Sequence, residues 1–103
     1  MLLVLSTFPD AAAAESIAGQ LIEARLAACV NLVPGIASLY EWQGQRESSR
    51  EVLAIIKTTE ERAAALEAFI QRSHPYEVPE IVAVPVVRAA AAYAAWVRDR
   101  TTA

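Results

Sequence analysis

Few residues in this chain could do chemistry, and they are scattered. Cys29 is the only cysteine and His74 the only histidine. A thiolate suits soft ions such as Cu(I), and an imidazole suits copper and zinc. Each also has a plain structural reading. Free cysteine is often a small buried apolar residue. A histidine at a helix end can satisfy the last carbonyls and the negative end of the dipole. Glu77 and Glu80 flank Val78-Pro79 in a proline-stiffened loop, and paired carboxylates can hold hard cations. They can equally be solvated loop acids. Lys57 is the only lysine and follows the apolar pair Ile55-Ile56. It needs a partner or an exit to solvent, and Glu41 across a hairpin would provide the first. Tyr40, Trp42 and Trp96 could line a pocket. Tyr40 and Trp42 share one strand face, which points to a subunit contact.

Those residues must be positioned by a small scaffold. The chain has 103 residues, enough for a single domain over 1–103 and one core. Acids outnumber bases by 12 to 9, and the arginines form no basic stripe. Phosphate binding needs clustered positive charge, so nucleic acid is not an expected partner. No apolar run approaches the roughly 18 residues of a membrane span. One cysteine allows no internal disulfide, so the cytoplasm is the expected compartment.

Leu2–Leu5 reads as a first strand. Thr7 or Asp10 can cap a helix running to about Ala27, with Ile17, Leu21 and Ala24 on one face. Cys29–Trp42 reads as an extended segment bent at Pro34-Gly35. Gln43–Arg46 is a turn, and Glu51–Thr58 a long third strand. A helix opened by Thr58-Thr59-Glu60-Glu61 presents Leu66, Phe69 and Ile70 and ends at Ser73-His74-Pro75. Ile81–Val86 is a last strand with Pro85 at an edge. Ala89–Arg100 is a short final helix with Tyr93, Trp96 and Val97 on one face.

The order β-α-β-β-α-β-α matches a ferredoxin-like split βαβ pattern plus a C-terminal helix. The expected class is α+β, a sandwich whose four-stranded antiparallel sheet has order 4-1-3-2. Two helices can cover only one sheet face. Yet Leu2–Leu5, Val52–Ile56 and Ile81–Val84 are apolar at both parities, so the second face needs cover too. A neighbouring copy is the simplest cover.

Several stretches carry a family likeness. They are Ser6-Thr7-Phe8-Pro9-Asp10, Arg25-Leu26-Ala27-Ala28-Cys29-Val30-Asn31, Pro34-Gly35-Ile36-Ala37-Ser38-Leu39-Tyr40-Glu41-Trp42, Ile56-Lys57-Thr58-Thr59 and His74-Pro75-Tyr76-Glu77-Val78-Pro79-Glu80-Ile81. In this order they resemble the CutA family of divalent-cation tolerance proteins. The resemblance implies a ferredoxin-like subunit in a homotrimer, similar in architecture to PII-like signalling trimers. It implies tolerance of divalent metals, copper above all, with no catalytic reaction and no organic cofactor. Metal-binding relatives can carry a cysteine at Ser6 and a second histidine at Ser73, and serine is a poor copper ligand. The expected metal site is therefore weak, built from His74 with Glu77 or Glu80, or with Cys29 across an interface. A PII-like ligand module and a scaffolding trimer are the alternatives, and the short turn at Gly44 disfavours the first.

Overall fold

The computed structural model describes residues 1–103. Seven elements follow the expected order: β1 (Leu2–Phe8), α1 (Ala11–Glu23), β2 (Cys29–Trp42), β3 (Gln45–Thr58), α2 (Glu60–Ser73), β4 (Val82–Pro85) and α3 (Ala91–Thr101). The sheet is antiparallel throughout, in the order β2-β3-β1-β4. Read from the other edge, this is the expected 4-1-3-2.

β1 lies between β3 and β4, and its alternation sorts the layers. Leu2, Val4, Ser6 and Phe8 are buried. Val4 and Phe8 join Val52, Ala54 and Ile56 of β3 under Ile17 and Leu21 of α1 and Leu66 and Ile70 of α2. This is the core. The odd residues of β1 face away from the helices, with Leu53 and Ile55 of β3 opposite them.

α1 is shorter than its apolar spacing suggests, ending at Glu23 rather than near Ala27. Arg25 adopts φ 58°, a left-handed conformation that breaks the helical hydrogen-bond ladder. Asp10 rather than Thr7 caps the other end, accepting from the Ala13 N–H at 2.8 Å. Arg25 then ties down the chain terminus. Its guanidinium donates to the carbonyls of Asp99, Arg100 and Thr102, at the C-terminal end of α3. Arg62 of α2 donates in turn to the Arg25 carbonyl at 3.1 Å.

The β2–β3 hairpin is longer than the apolar pattern implied. β3 starts at Gln45, not Glu51, because its first six residues are polar and pair along an arm beyond the core. Each strand has 14 residues, and the molecule is 45 Å long. The turn consists of Gln43 and Gly44 alone, at φ 52° and 79°. Two left-handed residues give the type of tight turn that suits strand twist. β4 is shorter than expected, spanning Val82–Pro85 and not Ile81–Val86. α3 is offset by one or two residues, at Ala91–Thr101. Val97 is buried on it, whereas Tyr93 and Trp96 stack on each other and stay partly exposed.

Pro34 and Gly35 bend β2 without ending it. Val33 pairs with Leu53 and Ile36 pairs with Glu51, so two residues of β2 oppose Val52 alone. Gly35 sits at φ 71°, a region open to glycine. This bulge reverses the parity of everything after it. Before it, Cys29, Asn31 and Val33 point away from α1 and α2. After it, Ile36, Ser38, Tyr40 and Trp42 do.

One core atom lacks a partner. The Ser6 hydroxyl is fully buried and makes no hydrogen bond. A buried polar group left unpaired costs about 1–3 kcal/mol. Ser6→Ala should therefore raise stability by about 1 kcal/mol, read as a higher midpoint in urea unfolding.

Candidate functional site

On the sheet face away from α1 and α2, the hairpin arm and the loop after α2 enclose a groove of about 830 Å³. The bulge supplies one wall, because it turns Ser38, Tyr40 and Trp42 to this side. β3 supplies Glu47 and Glu51, and Thr7 closes the inner end. The loop supplies Pro75, Tyr76, Glu77, Val78 and Glu80. Four carboxylates and three large aromatics thus share one groove, and no basic residue lines it.

His74 anchors the loop. The residue is buried and its ring stacks on Phe8, with centroids 4.5 Å apart. The Tyr76 N–H donates to Nδ1 at 3.0 Å, which leaves the proton on Nε2. Nε2 then donates to the Thr7 carbonyl at 2.7 Å. β4 pairs with β1 only as far as Leu5, so this bond holds the loop to β1 beyond the last β4 rung. The backbone N–H of His74 also closes α2 on the Ile70 carbonyl.

Tyr76 carries the loop across to the hairpin. Its hydroxyl donates to Glu51 Oε2 at 2.7 Å. Glu51 is only 7% exposed, and that hydroxyl is its one side-chain hydrogen-bond partner. Burial, followed by the bond to and charge of Glu51, pushes the Tyr76 hydroxyl well above the ordinary tyrosine range.

The residues singled out from sequence do not meet in one place. Glu77 and Glu80 lie on the groove, exposed. His74 lies beneath the same loop with both ring nitrogens engaged. Cys29 is half-buried at the far end of the sheet. Registers place Cys29 level with Lys57 and Leu3, whereas His74 bonds to Thr7. Four residues of β1 separate those levels, roughly 13 Å. Cys29 sits instead beside Tyr93 of α3. Burial, then the neighbouring thiol, pushes the Tyr93 hydroxyl above its ordinary value. No three His, Cys, Asp or Glu side chains group closely enough to hold a metal ion. A single chain therefore offers no tight chelate.

The expected Lys57–Glu41 pair is corrected. The register puts Glu41 opposite Arg46 near the hairpin tip, far from Lys57. The Lys57 ammonium donates to the Asn31 side-chain carbonyl, diagonally across β2 and β3. Tyr40 and Trp42 do share a face, and the Tyr40 hydroxyl bonds Ser49 Oγ at 3.2 Å.

Glu47, Glu51 and Tyr76 were missed from sequence as site residues. A signal for Glu51 was present, since it is the acid heading an otherwise apolar run, Val52–Ile56.

The comparisons with known proteins agree with this geometry. A family model described as CutA1 divalent ion tolerance protein matches residues 2–100. The chain belongs to the CutA1 family. It is 45% identical over 98 residues to the divalent-cation tolerance protein CutA of Thermus thermophilus, covering 95% of each. It is 47% identical over 95 residues to human protein CutA, covering 92% of this chain but 53% of that protein. Among solved structures, the Thermus thermophilus CutA1 superposes with a TM-score of 0.95 at 44% identity, covering 99% of this chain and 100% of that one. CutA1 from Oryza sativa gives 0.95 at 40% identity, with 98% and 93% covered. A CutA1 fold thus holds the groove, and its name speaks of cation tolerance without naming a reaction.

Tyr76 provides a pH test. Its folded-state pKa lies above the unfolded value of about 10, so the folded form holds its proton longer. The stabilisation is fully present below pH ~10 and is lost as pH rises beyond it. Tyr76→Phe should cost about 1–2 kcal/mol at pH 7, as Glu51 loses its donor. That gap should narrow above pH ~10, read from urea unfolding at pH 7, 10 and 11.

Proposed function

We propose that this chain is a non-catalytic divalent-cation tolerance protein of the cytoplasm. It works as a homotrimer and binds a divalent ion weakly in the clefts between subunits. The observation that carries this reading is membership of the divalent ion tolerance family over residues 2–100.

The sheet face away from α1 and α2 supports assembly. Val33, Val82 and Val84 are exposed there, beside half-buried Leu3, Leu5, Leu53 and Ile55. β2 and β4 each leave one sheet edge free for pairing. An extended apolar face of this kind is rare on a monomer.

The donors favour weak binding. Glu77 and Glu80 are exposed carboxylates, suited to hard divalent ions that keep much of their water. Of the softer donors, His74 would have to give up a bond within the fold, and Cys29 lies at the other end of the sheet. Glu77 and Glu80 are accordingly the main ligands, and a second copy completes the set. No helix is long and apolar enough to cross a membrane.

Two measurements test the reading. Light scattering at micromolar concentration should give three times 11.1 kDa, and a monomeric mass would reject assembly. Copper titration by calorimetry should give a weak saturable response, reduced at least about five-fold in the Glu77→Gln/Glu80→Gln double variant. Cys29→Ala should leave it unchanged. His74→Ala should lower the melting temperature more than the copper affinity. An undiminished response in the double carboxylate variant, or no heat above buffer, would reject the ligand assignment.

A further inference from the structure

Leu39 is an apolar residue of the hairpin arm that its own chain leaves without cover. It is 66% exposed, and the bulge puts it on the side of α1 and α2, outside the core those helices form. Its neighbours on that side are Ala37 of β2 and Arg46, Ser48 and Arg50 of β3. Neither arginine has an ion-pair partner, since the chain's one ion pair joins Arg100 to Asp99.

The opposite edge of the sheet carries a matching hollow. Ala83 of β4 pairs with Val4, so it faces the same side as Val4, yet it is exposed because α2 does not extend over the edge strand. Val4, Ala63, Leu66, Ile81 and Ala83 line an apolar cavity of about 190 Å³ there, with exposed Glu67 at its rim. That is comparable with the roughly 150 Å³ void that truncating one buried apolar side chain can leave. The arm of the same chain cannot fill it, because β2 and β4 are the two outer strands and β3 and β1 lie between them.

We infer that Leu39 of one copy fills the cavity between α2 and β4 of the next, and that Glu67 at its rim meets the arginines flanking that leucine. Both outer edges of the sheet are free, and joining β2 of one copy to β4 of another antiparallel keeps the sheet antiparallel throughout. In a sheet continued in that order and direction, the α1–α2 layers of both copies stand on the same side. Leu39 and Ala83 then share a face, as residues facing each other across a strand pair do. Each copy offers the knob at one edge and the hollow at the other, so the contact is head-to-tail and is satisfied for every copy in a closed ring. The inference rests on the assembly part of the proposed function and adds the side chains that match one edge to the other.

Sedimentation of the whole protein across a dilution series in sub-denaturing urea reads the concentration of half-dissociation. Leu39→Ala should raise it at least about ten-fold with the helical circular-dichroism signal retained, since Leu39 packs on nothing in its own chain. Ala63→Leu, which fills the hollow from its own helix, should raise it too. The two together should return it to within about three-fold of the unaltered protein. Leu39 and the Ala63 cavity lie at opposite edges of one chain, so coupling of this kind arises only between copies. Glu67→Lys should raise it about three-fold at low salt and not at high salt. Strictly additive effects of the size swap would overturn the inference. So would an unchanged Leu39→Ala, a Glu67→Lys without the salt-dependent loss, or an equal loss in Ile22→Ala, an exposed apolar residue of α1. A trimeric protein indifferent to these variants removes this inference alone, whereas a monomeric unaltered protein removes the assembly reading with it.

Discussion

The structure depends on the two-against-one register at Pro34-Gly35. Without that bulge, Tyr40 and Trp42 would point to the helix side of the hairpin, beyond the reach of α1 and α2. With it, they join Glu51 and Glu47 on the opposite face, where the loop after α2 can meet them. One left-handed glycine thus decides which side of a 14-residue strand carries the groove. The position is also economical. It lies where β2 leaves the core, so the change in facing costs no core contact.

The loop that completes the groove is held by an aromatic stack and four hydrogen bonds, not by apolar burial. Phe8, His74 and Tyr76 stand in sequence, the first stacked and the second pair tilted at 45°. The chain of bonds runs from Thr7 through His74 to the Tyr76 backbone, and then through the Tyr76 hydroxyl to Glu51. The residue types that look most like metal chemistry in this stretch are therefore used as structure. The histidine fixes the loop, and the carboxylates left at its surface are Glu77 and Glu80. At the opposite end Arg25 has the comparable role, gathering the last turn of α3 onto the turn after α1.

Much of the fold was legible because burial leaves a pattern in sequence. Val52–Ile56 and Leu2–Leu5 are apolar at both parities, and that pattern identified the central strands and the two-faced sheet. The order of strands followed from element order alone. What escaped was structure made by register instead of composition. Gln45–Arg50 carries no apolar signal, yet it is strand, since pairing with β2 continues after the core ends. The early end of α1 depends on a backbone dihedral at Arg25, a residue with no particular preference for it. Of the site, Glu77, Glu80, Tyr40 and Trp42 were visible as candidates. Glu51 and Tyr76 were not, because their meaning comes from a contact between residues 25 positions apart. Lys57 was assigned the wrong partner because the hairpin closes at Gln43-Gly44, which sets Glu41 against Arg46 and Lys57 against Cys29.

The place of β1 in the sheet has a consequence for how the chain is made. β1 comprises Leu2–Phe8, and its two neighbours are β3, ending at Thr58, and β4, ending at Pro85. On a ribosome the central strand emerges before its partner strands and waits while about fifty residues are added before it can pair. Its second edge stays open until β4 has emerged. Through that interval an apolar segment with both faces and both edges bare is in the open, a hazard for wrong pairing. α1 is the one element that can shelter it early, and α1 begins three residues after β1 ends. The short Pro9-Asp10 connection, with the Asp10 cap that starts the helix at once, therefore acts in time as well as in space. It gives the newborn strand a cover long before the sheet exists.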